Sequence, residues 1–65
     1  MVEIETRNRV IKVKESLSEV VNLMGYQWVR VTEDMSFYGE MSGEYHELQR
    51  EIRINRDQIV AFYKN

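Results

Sequence analysis

The chain of 65 residues contains no cysteine, no proline, one histidine and three glycines. Without cysteine it has no disulfide, no thiolate zinc site and no cysteine nucleophile. A single histidine argues against a histidine-based metal centre, and no glycine-rich turn leads into a predicted helix as a phosphate site requires. We therefore expect no metal and no other cofactor. The lack of proline also removes one common means of protecting a sheet edge.

Long apolar runs are missing as well. No stretch approaches the roughly 18 residues of a membrane span. The segment from Met1 to Glu5 has no basic region followed by an apolar run, so no signal peptide is predicted. The sequence indicates a soluble, cytoplasmic protein with no membrane partner. Its length allows one small domain over residues 1–65, with a core so limited that oligomerisation would help to stabilise it.

The clearest pattern in the chain lies between Ser16 and Gly25. Ser16 and Glu19 have the spacing of a capping box, which predicts the start of a helix. Gly25 is expected to end this helix in a left-handed conformation. A helix of this length is not stable alone in water. It is expected to bury one apolar face, formed by four residues at helical spacing: Leu17, Val20, Val21 and Met24.

Alternating residues before the helix predict a β-hairpin. Val2 to Glu5 alternate with period two, as do Arg9 to Lys14 apart from the extra Val10. Arg7-Asn8 supplies a two-residue turn in which Asn tolerates a positive φ. This register pairs Ile4 with Ile11, Val2 with Val13, and Glu3 with Lys12. The alternative is one strand from Arg9 to Lys14 after a loosely attached N-terminus.

The second half of the chain predicts further strands. Tyr26 to Glu33 is rich in β-branched and aromatic residues. Residues 34–43 are predicted to form a loop, since two glycines and two serines interrupt them. Residues 44–54 fit both a helix and a strand, and we favour a strand over 47–54 that pairs with the one after the turn at 55–58. Ile59 to Tyr63 is apolar on both faces, typical of a central strand or of one covered by a partner.

These elements predict an α+β fold of order β(β)–α–β–β–β. One short helix would pack on a small antiparallel sheet of three to five strands. The predicted core contains these residues: Ile4, Ile11, Val13, Leu17, Val20, Val21, Met24, Val29, Val31, Ile52, Ile54, Ile59 and Phe62.

The predicted loop is unusually apolar, which is the main functional signal. Methionine and aromatic residues are enriched in protein interfaces, and five of them form the candidate protein-binding set: Met35, Phe37, Tyr38, Met41 and Tyr45. Five acidic residues, with no Lys or Arg among them, lie between Val31 and Gln49: Glu33, Asp34, Glu40, Glu44 and Glu47. The first four would steer a basic partner. Two alternatives give the five apolar side chains of the loop a different role. They complete the core, or they join the Ile59–Tyr63 strand in a homo-oligomer contact.

A nucleic-acid surface is the alternative function. Trp28 and Arg30 share one face of a predicted strand, and Arg50 and Arg53 extend it if the strands are neighbours. Aromatics interleaved with arginine can stack on bases and contact phosphates. The pI of about 5.3 argues against this function, as does the absence of a dense basic stripe.

Enzymatic activity is not expected. His46, with Ser42 and Glu44 or Glu47 nearby, has the residue types of a catalytic triad. However, it has neither a nucleophile elbow nor an oxyanion loop, so an exposed histidine is the better interpretation. A metal site built from Glu40, Glu44, His46 and Glu47 has no recognised ligand spacing.

Two short segments resemble a known family. Val13-Lys14-Glu15-Ser16 running into Glu19-Val20, and Asn55-x-x-x-Ile59-Val60, resemble segments of the small flagellar protein FlbD, although that family has them in the opposite order. The overall pattern is similar to small accessory proteins of Gram-positive bacteria and their phages. The resemblance implies a small regulatory or accessory protein and transfers no site residue. Together with the apolar loop, it predicts a non-enzymatic protein-binding module.

Overall fold

Seven strands, one α-helix and one 3₁₀ turn make up the computed structural model, which describes all residues from Met1 to Asn65. The α+β class is confirmed, and the predicted order of elements matches apart from two additional short strands. No helix is long and apolar enough to cross a membrane. In chain order the elements are β1 (Val2–Thr6), β2 (Val10–Val13), α1 (Leu17–Leu23), β3 (Trp28–Asp34), β4 (Phe37–Tyr38), β5 (Tyr45–His46), β6 (Gln49–Asn55), a 3₁₀ turn (Arg56–Gln58) and β7 (Ile59–Lys64).

Five strands form one antiparallel sheet in the order β6-β3-β2-β1-β7. The strands β6 and β7 follow each other in sequence but lie at opposite edges. Only the 3₁₀ turn connects them, and such a helix rises about 2 Å per residue. The two edges must therefore approach each other, so the sheet is curled around its core. Asn55 begins the turn, and its side chain accepts a hydrogen bond from the backbone N–H of Asp57 at 3.0 Å.

The predicted N-terminal hairpin is confirmed in its register. Ile4 lies opposite Ile11, Val2 opposite Val13, and Glu3 opposite Lys12. The turn at Arg7-Asn8 needs no positive φ. Instead the Thr6 hydroxyl oxygen accepts hydrogen bonds from the N–H groups of Asn8 and Arg9, at 3.3 and 3.1 Å. A threonine side chain thus stabilises a turn that lacks the usual Asn-Gly dipeptide.

The strand prediction for residues 47–54 is confirmed by β6, but its predicted partner is wrong. β6 pairs with β3, and β7 pairs with β1. The pairing of β7 with β1 brings the first and last strands together. Patterns within neighbouring segments of the sequence do not predict such a contact. The strand Ile59–Lys64 is consequently an edge strand, with Val60 exposed on its surface.

The helix begins as predicted but buries a different face. The Ser16 hydroxyl accepts from the Glu19 N–H at 3.3 Å and contacts the Glu19 carboxylate at 3.1 Å. Gly25, however, has no positive φ, so the predicted left-handed end is wrong. Leu17 and Val21 are exposed, which contradicts their predicted core positions. A helix of two turns touches the small sheet along one line only, and Val20 lies at its centre, with Leu23 and Met24 beside it.

The core is small and consists mainly of β-branched residues. Eight hydrophobic side chains are buried: Val2, Ile4, Ile11, Val13, Val20, Val29, Val31 and Ile54. Val2 was not among the predicted core residues. Predicted core members Met24, Ile52, Ile59 and Phe62 are only partly buried against this cluster. With so few buried residues, the domain leaves many large apolar side chains in contact with solvent.

Candidate protein-docking surface

The predicted loop at residues 34–43 is wrong, because most of it forms the outer half of a long β-hairpin. β3 pairs with β6 from Trp28↔Asn55 to Asp34↔Gln49. The same register continues without a shift into Phe37↔His46 and Tyr38↔Tyr45, which join β4 and β5. Between the two pairings, the Met35 N–H donates to the Leu48 carbonyl at 2.8 Å. The two glycines and two serines that suggested a loop lie instead within one β-ribbon and its end turn.

This ribbon sets the long dimension of the molecule. A strand from Gln27 to Gly39, extended at about 3.4 Å per residue, is about 40 Å long. The molecule measures 41 × 23 × 20 Å. We call residues 35–48 the ribbon tip and the opposite end, around Trp28, Arg30 and Arg53, the basal end. Every residue from Glu40 to Arg50 is exposed, so the tip makes no contribution to the buried core.

The face of the ribbon that packs in the core, its inner face, continues outward into the solvent-exposed tip. Opposed residues of antiparallel strands share a face, and successive pairs alternate between faces. The core-facing pairs Val29↔Ile54 and Val31↔Ile52 therefore share their face with two pairs further out. Those outer pairs are Met35 with Leu48 and Phe37 with His46.

Aromatic contacts hold the tip together. The rings of Phe37 and His46 stack with centroids 5.1 Å apart and an interplanar angle of 25°. On the other face Tyr38 and Tyr45 lie 5.2 Å apart at 55°. Both are typical separations of aromatic pairs. Phe37 is nevertheless 52% exposed, Tyr38 is 72% exposed, and Met41 is fully exposed.

The turn at the end of the tip depends on two glycines. The Gly39 N–H donates to the Glu44 carbonyl at 2.9 Å, and the Gly43 N–H donates to the Gly39 carbonyl at 2.8 Å. Gly43 has a φ of +68°, which favours glycine. A side chain at position 39 would approach the Ser42 hydroxyl to 2.6 Å. The turn is therefore ordered, and it presents Met41 at the extreme end of the molecule.

All five predicted protein-binding residues are exposed, and the structure brings them together on the tip. Met35, Phe37, Tyr38 and Tyr45 lie along the ribbon, and Met41 lies in its turn. The alternative in which they fold back to complete the core is excluded by this exposure. Leu48 and His46 belong to the same surface but were not predicted. Extending the alternation of Arg50, Ile52 and Ile54 outward would have placed Leu48 opposite Met35.

Two of the predicted acidic residues, Glu33 and Asp34, lie outside the tip. Glu33 is 6% exposed and lies on the inner face, between the core and the tip. It accepts hydrogen bonds from Arg9 at 2.6 and 3.2 Å and from Arg50 at 3.0 Å. These bonds, with that of Arg9 the strongest, lower the pKa of Glu33 against the opposing effect of burial. Two arginines already neutralise Glu33, so it has no role in attracting a partner.

The remaining tip charges are acidic and exposed. Glu40, Glu44 and Glu47 lie on the tip, which contains no Lys or Arg. Of these, Glu47 contacts Lys14 at 3.6 Å, whereas no ion pair forms at the other two. Asp34 accepts from the Ser36 N–H at 3.0 Å, and its hydrogen bonds to Ser36 lower its pKa. The tip is an apolar surface with a negative rim.

The alternative nucleic-acid residues do not share one surface. Trp28, Arg30 and Arg53 lie on the outer face at the basal end, since Trp28 pairs with Asn55 and Arg30 with Arg53. Arg50 lies on the inner face against Glu33. Arg30 is also paired with Glu51 at 3.3 Å. The basal surface therefore has two exposed aromatic side chains, Trp28 and Tyr26, and a partly neutralised pair of arginines.

The comparisons with known proteins add no relative. No protein-family model, no curated protein and no solved structure matches the chain.

Proposed function

We propose that the chain is a small, non-enzymatic accessory or regulatory module that docks its ribbon tip on a basic surface of a partner protein. The observation that carries the proposal is the exposure of the aromatic and methionine side chains beyond the core. In a domain with eight buried hydrophobic residues, leaving such side chains in water forgoes stability that a folded-back loop would supply. Their burial against a partner recovers it.

The composition of the tip supports a protein partner. Tyrosine, phenylalanine and methionine are enriched in the cores of interfaces, whereas isolated apolar residues are common on any surface. Here they are concentrated at the end of one ribbon, with Met35 and Phe37 on one face and Tyr38 and Tyr45 on the other. Concentrations of exposed apolar side chains mark interaction sites. Tyrosines in such patches often contribute a large share of the binding energy. Tyr38 is the most exposed aromatic residue of the tip.

The charge of the tip supports the choice of a basic partner. Glu40 and Glu44 are exposed and form no ion pair in the structure. Acidic rims of this kind accelerate encounters with positive surfaces and disfavour acidic ones. Association should therefore weaken as salt is raised, because exposed charges are screened beyond about 10 Å at 0.1 M salt.

The test is capture of a partner with the tagged full chain and two matched variants. Tyr38→Ala removes an aromatic side chain from the tip, and Tyr26→Ala removes one of similar exposure, 67%, from the opposite end. A photo-reactive amino acid at position 41 marks proteins that touch the tip. Lysate from a bacterial host is divided into nuclease-treated and untreated halves, and captured material is examined as protein and by absorbance at 260 nm.

The proposal predicts one discrete cross-linked protein that survives nuclease, is lost with Tyr38→Ala and is retained with Tyr26→Ala. The purified partner should bind more weakly in high salt. A band that is indifferent to Tyr38→Ala contradicts tip docking. Captured nucleic acid, with no protein left after nuclease, contradicts it in favour of the second candidate.

That second candidate is nucleic-acid binding at the basal end, favoured by the 59% exposure of Trp28 beside Arg30 and Arg53. An exposed indole next to arginines suits base stacking and phosphate contact. Binding of a fluorescent single-stranded oligonucleotide, followed by anisotropy, provides the test. Steep salt dependence with loss on Arg30→Ala would favour it. No binding at low salt would exclude it.

A further inference from the structure

The edge of β3 is open at Trp28 and Arg30. Hydrogen bonds connect Gln27 to Arg56 and Met35 to Leu48, which fixes the odd-numbered residues of β3 as those bonded to β6. In an antiparallel pair the residues between them face the other way. On that side β2 pairs with β3 only at Glu33. The backbone N–H and C=O groups of Trp28 and Arg30 consequently have no strand partner.

The chain closes this edge further along but not here. The Thr32 carbonyl accepts from the Lys14 N–H at 2.9 Å, and the Thr32 N–H donates to the Glu15 carboxylate at 2.8 Å. Beyond Glu15 the chain turns into α1. An open cleft lined by Leu23, Tyr26, Trp28 and Arg30 lies at the edge that is left free. The edge therefore has both unpaired backbone groups and an adjacent apolar cleft.

The sheet also has open outer edges at β6 and β7, and the β6 edge continues into β5 at the tip. By the same alternation, Tyr45 and Glu47 direct their backbone groups away from β4, and no strand lies beside β5. Tyr45 and Glu47 are two residues apart, as are Trp28 and Arg30. Two such edges can share an antiparallel ladder, and exposed edges are known templates for strand addition.

Charge distinguishes the two edges. Glutamates flank the tip edge. The basal end has two exposed arginines, of which Arg30 is paired with Glu51 and Arg53 forms no ion pair. Two tips would repel each other, whereas a tip and a basal end attract. Because the two edges lie at opposite ends of a ribbon about 40 Å long, one molecule cannot join its own edges.

We infer that β5 of one copy adds to the open β3 edge at Trp28–Arg30 of a second copy, with Tyr45 entering the cleft beside Leu23. The inference rests on the proposed function of the tip and identifies this chain's own basal end as a basic surface that the tip binds. The contact joins two different surfaces, so it repeats head to tail rather than closing as a symmetric dimer.

Sedimentation of the nuclease-treated full chain, from micromolar to millimolar concentration, tests the inference. The wild type is expected to show a mass that rises continuously beyond that of a dimer. Glu40→Lys with Glu44→Lys reverses the tip charge, and Arg30→Glu with Arg53→Glu reverses the basal charge. Each double variant alone should associate at least about tenfold more weakly than the wild type, because like charges then meet. An equimolar mixture of the two should regain association, because each tip meets a basal end of opposite charge.

A matched pair of variants tests the backbone contact. The Glu47 N–H faces away from β4, so Glu47→Pro removes an outward donor without breaking a bond of the ribbon. Glu47→Gln removes the same charge and keeps the donor. Association should be lost with proline and largely retained with glutamine. Circular dichroism of every variant verifies that it is folded.

Three outcomes overturn the inference. One is a wild type that stays monomeric at every concentration. Another is a tip variant that associates as well as the wild type, which shows that the contact does not depend on the charge of the tip. The third is association that disappears once nuclease is added, which indicates bridging by nucleic acid. If the chain is monomeric but Tyr38→Ala still abolishes capture of a host protein, the inference fails and the proposed function stands.

Discussion

The carboxylate of Glu33 accepts two hydrogen bonds from the guanidinium of Arg9, at 2.6 and 3.2 Å. Arg9 reaches it from the turn between β1 and β2, and Arg50 approaches from β6 at 3.0 Å. The three side chains lie where the buried face of the ribbon ends and its exposed tip begins. They connect the N-terminal hairpin to the ribbon, so the core is closed at this end by an ion-pair network rather than by apolar side chains.

Replacing Glu33 with glutamine should destabilise the fold by about 1–2 kcal/mol. The Glu33 side chain is 7% exposed, but its partners Arg9 and Arg50 are 48% and 54% exposed. The arginines can therefore regain water, and the cost stays below that of breaking a fully buried pair. Urea unfolding measures the change. Glu51→Gln, which breaks the exposed pair with Arg30, is the control and should change stability by less than about 0.5 kcal/mol.

Stability should also depend on pH through Glu33. Its pKa lies below the ordinary value of 4.5, because Arg9 and Arg50 bind the charged form. A lowered folded-state pKa gives stability that is complete above the unfolded-state value and is lost as pH falls through the folded-state value. The difference in unfolding free energy between wild type and Glu33→Gln should be constant above about pH 6 and shrink below 4.5. A difference that persists unchanged to pH 2 would contradict the assignment.

Local patterns predicted much of this fold. Alternation in Val2 to Glu5, and in Arg9 to Lys14 apart from the extra Val10, predicted the register, since a shift by one residue would turn Ile4 outward. The spacing of Ser16 and Glu19 located the start of the helix. Contacts between distant segments were not predictable in this way. Nothing in the sequence of β7 indicates β1 as its neighbour, because that pairing depends on the curl of the whole sheet.

The residues of the candidate site were selected by their type, but the secondary structure that holds them was predicted wrongly. Met35, Phe37, Tyr38, Met41 and Tyr45 were selected for their apolar character on a supposed loop. Because glycines normally interrupt strands, Gly39 and Gly43 suggested a loop. The structure has a ribbon there, and its register extends that of β3 and β6. The role of Glu33 was missed because its arginine partners lie 24 and 17 residues away.

Replacing Gly43 and Gly25 by alanine should have different effects on stability, because only Gly43 has a positive φ. Gly43→Ala forces a side chain into a φ of +68° and should cost about 1 kcal/mol of local stability. Gly25→Ala is the matched control, since its φ is not positive and its nearest contact, the Asn22 carbonyl at 3.4 Å, is ordinary. Amide exchange of tip residues should accelerate only in Gly43→Ala. Equal effects in both variants would argue against an ordered turn.

Loss of the Ser16 cap should destabilise the protein, because α1 depends on it to satisfy the Glu19 N–H. Ser16→Ala is expected to lower the free energy of unfolding by about 1 kcal/mol. Ser16→Asp supplies another capping oxygen and should retain most of the stability. Thermal unfolding of both variants checks this, and an alanine variant as stable as wild type would show that the cap contributes little.

Truncating the tip should impair binding without impairing folding. Tyr38 is 72% exposed and contacts Tyr45 alone among the aromatic residues, so Tyr38→Ala should change stability by less than about 1 kcal/mol. Val20 is fully buried at the centre of the helix–sheet contact. Val20→Ala removes two methyl groups from the core and should cost about 2 kcal/mol. Urea unfolding and partner capture are measured on both variants at a temperature where each is folded. Tip docking requires that Tyr38→Ala lose the partner while Val20→Ala keeps it, and the reverse pattern would mean that capture reports only how much of the chain is folded.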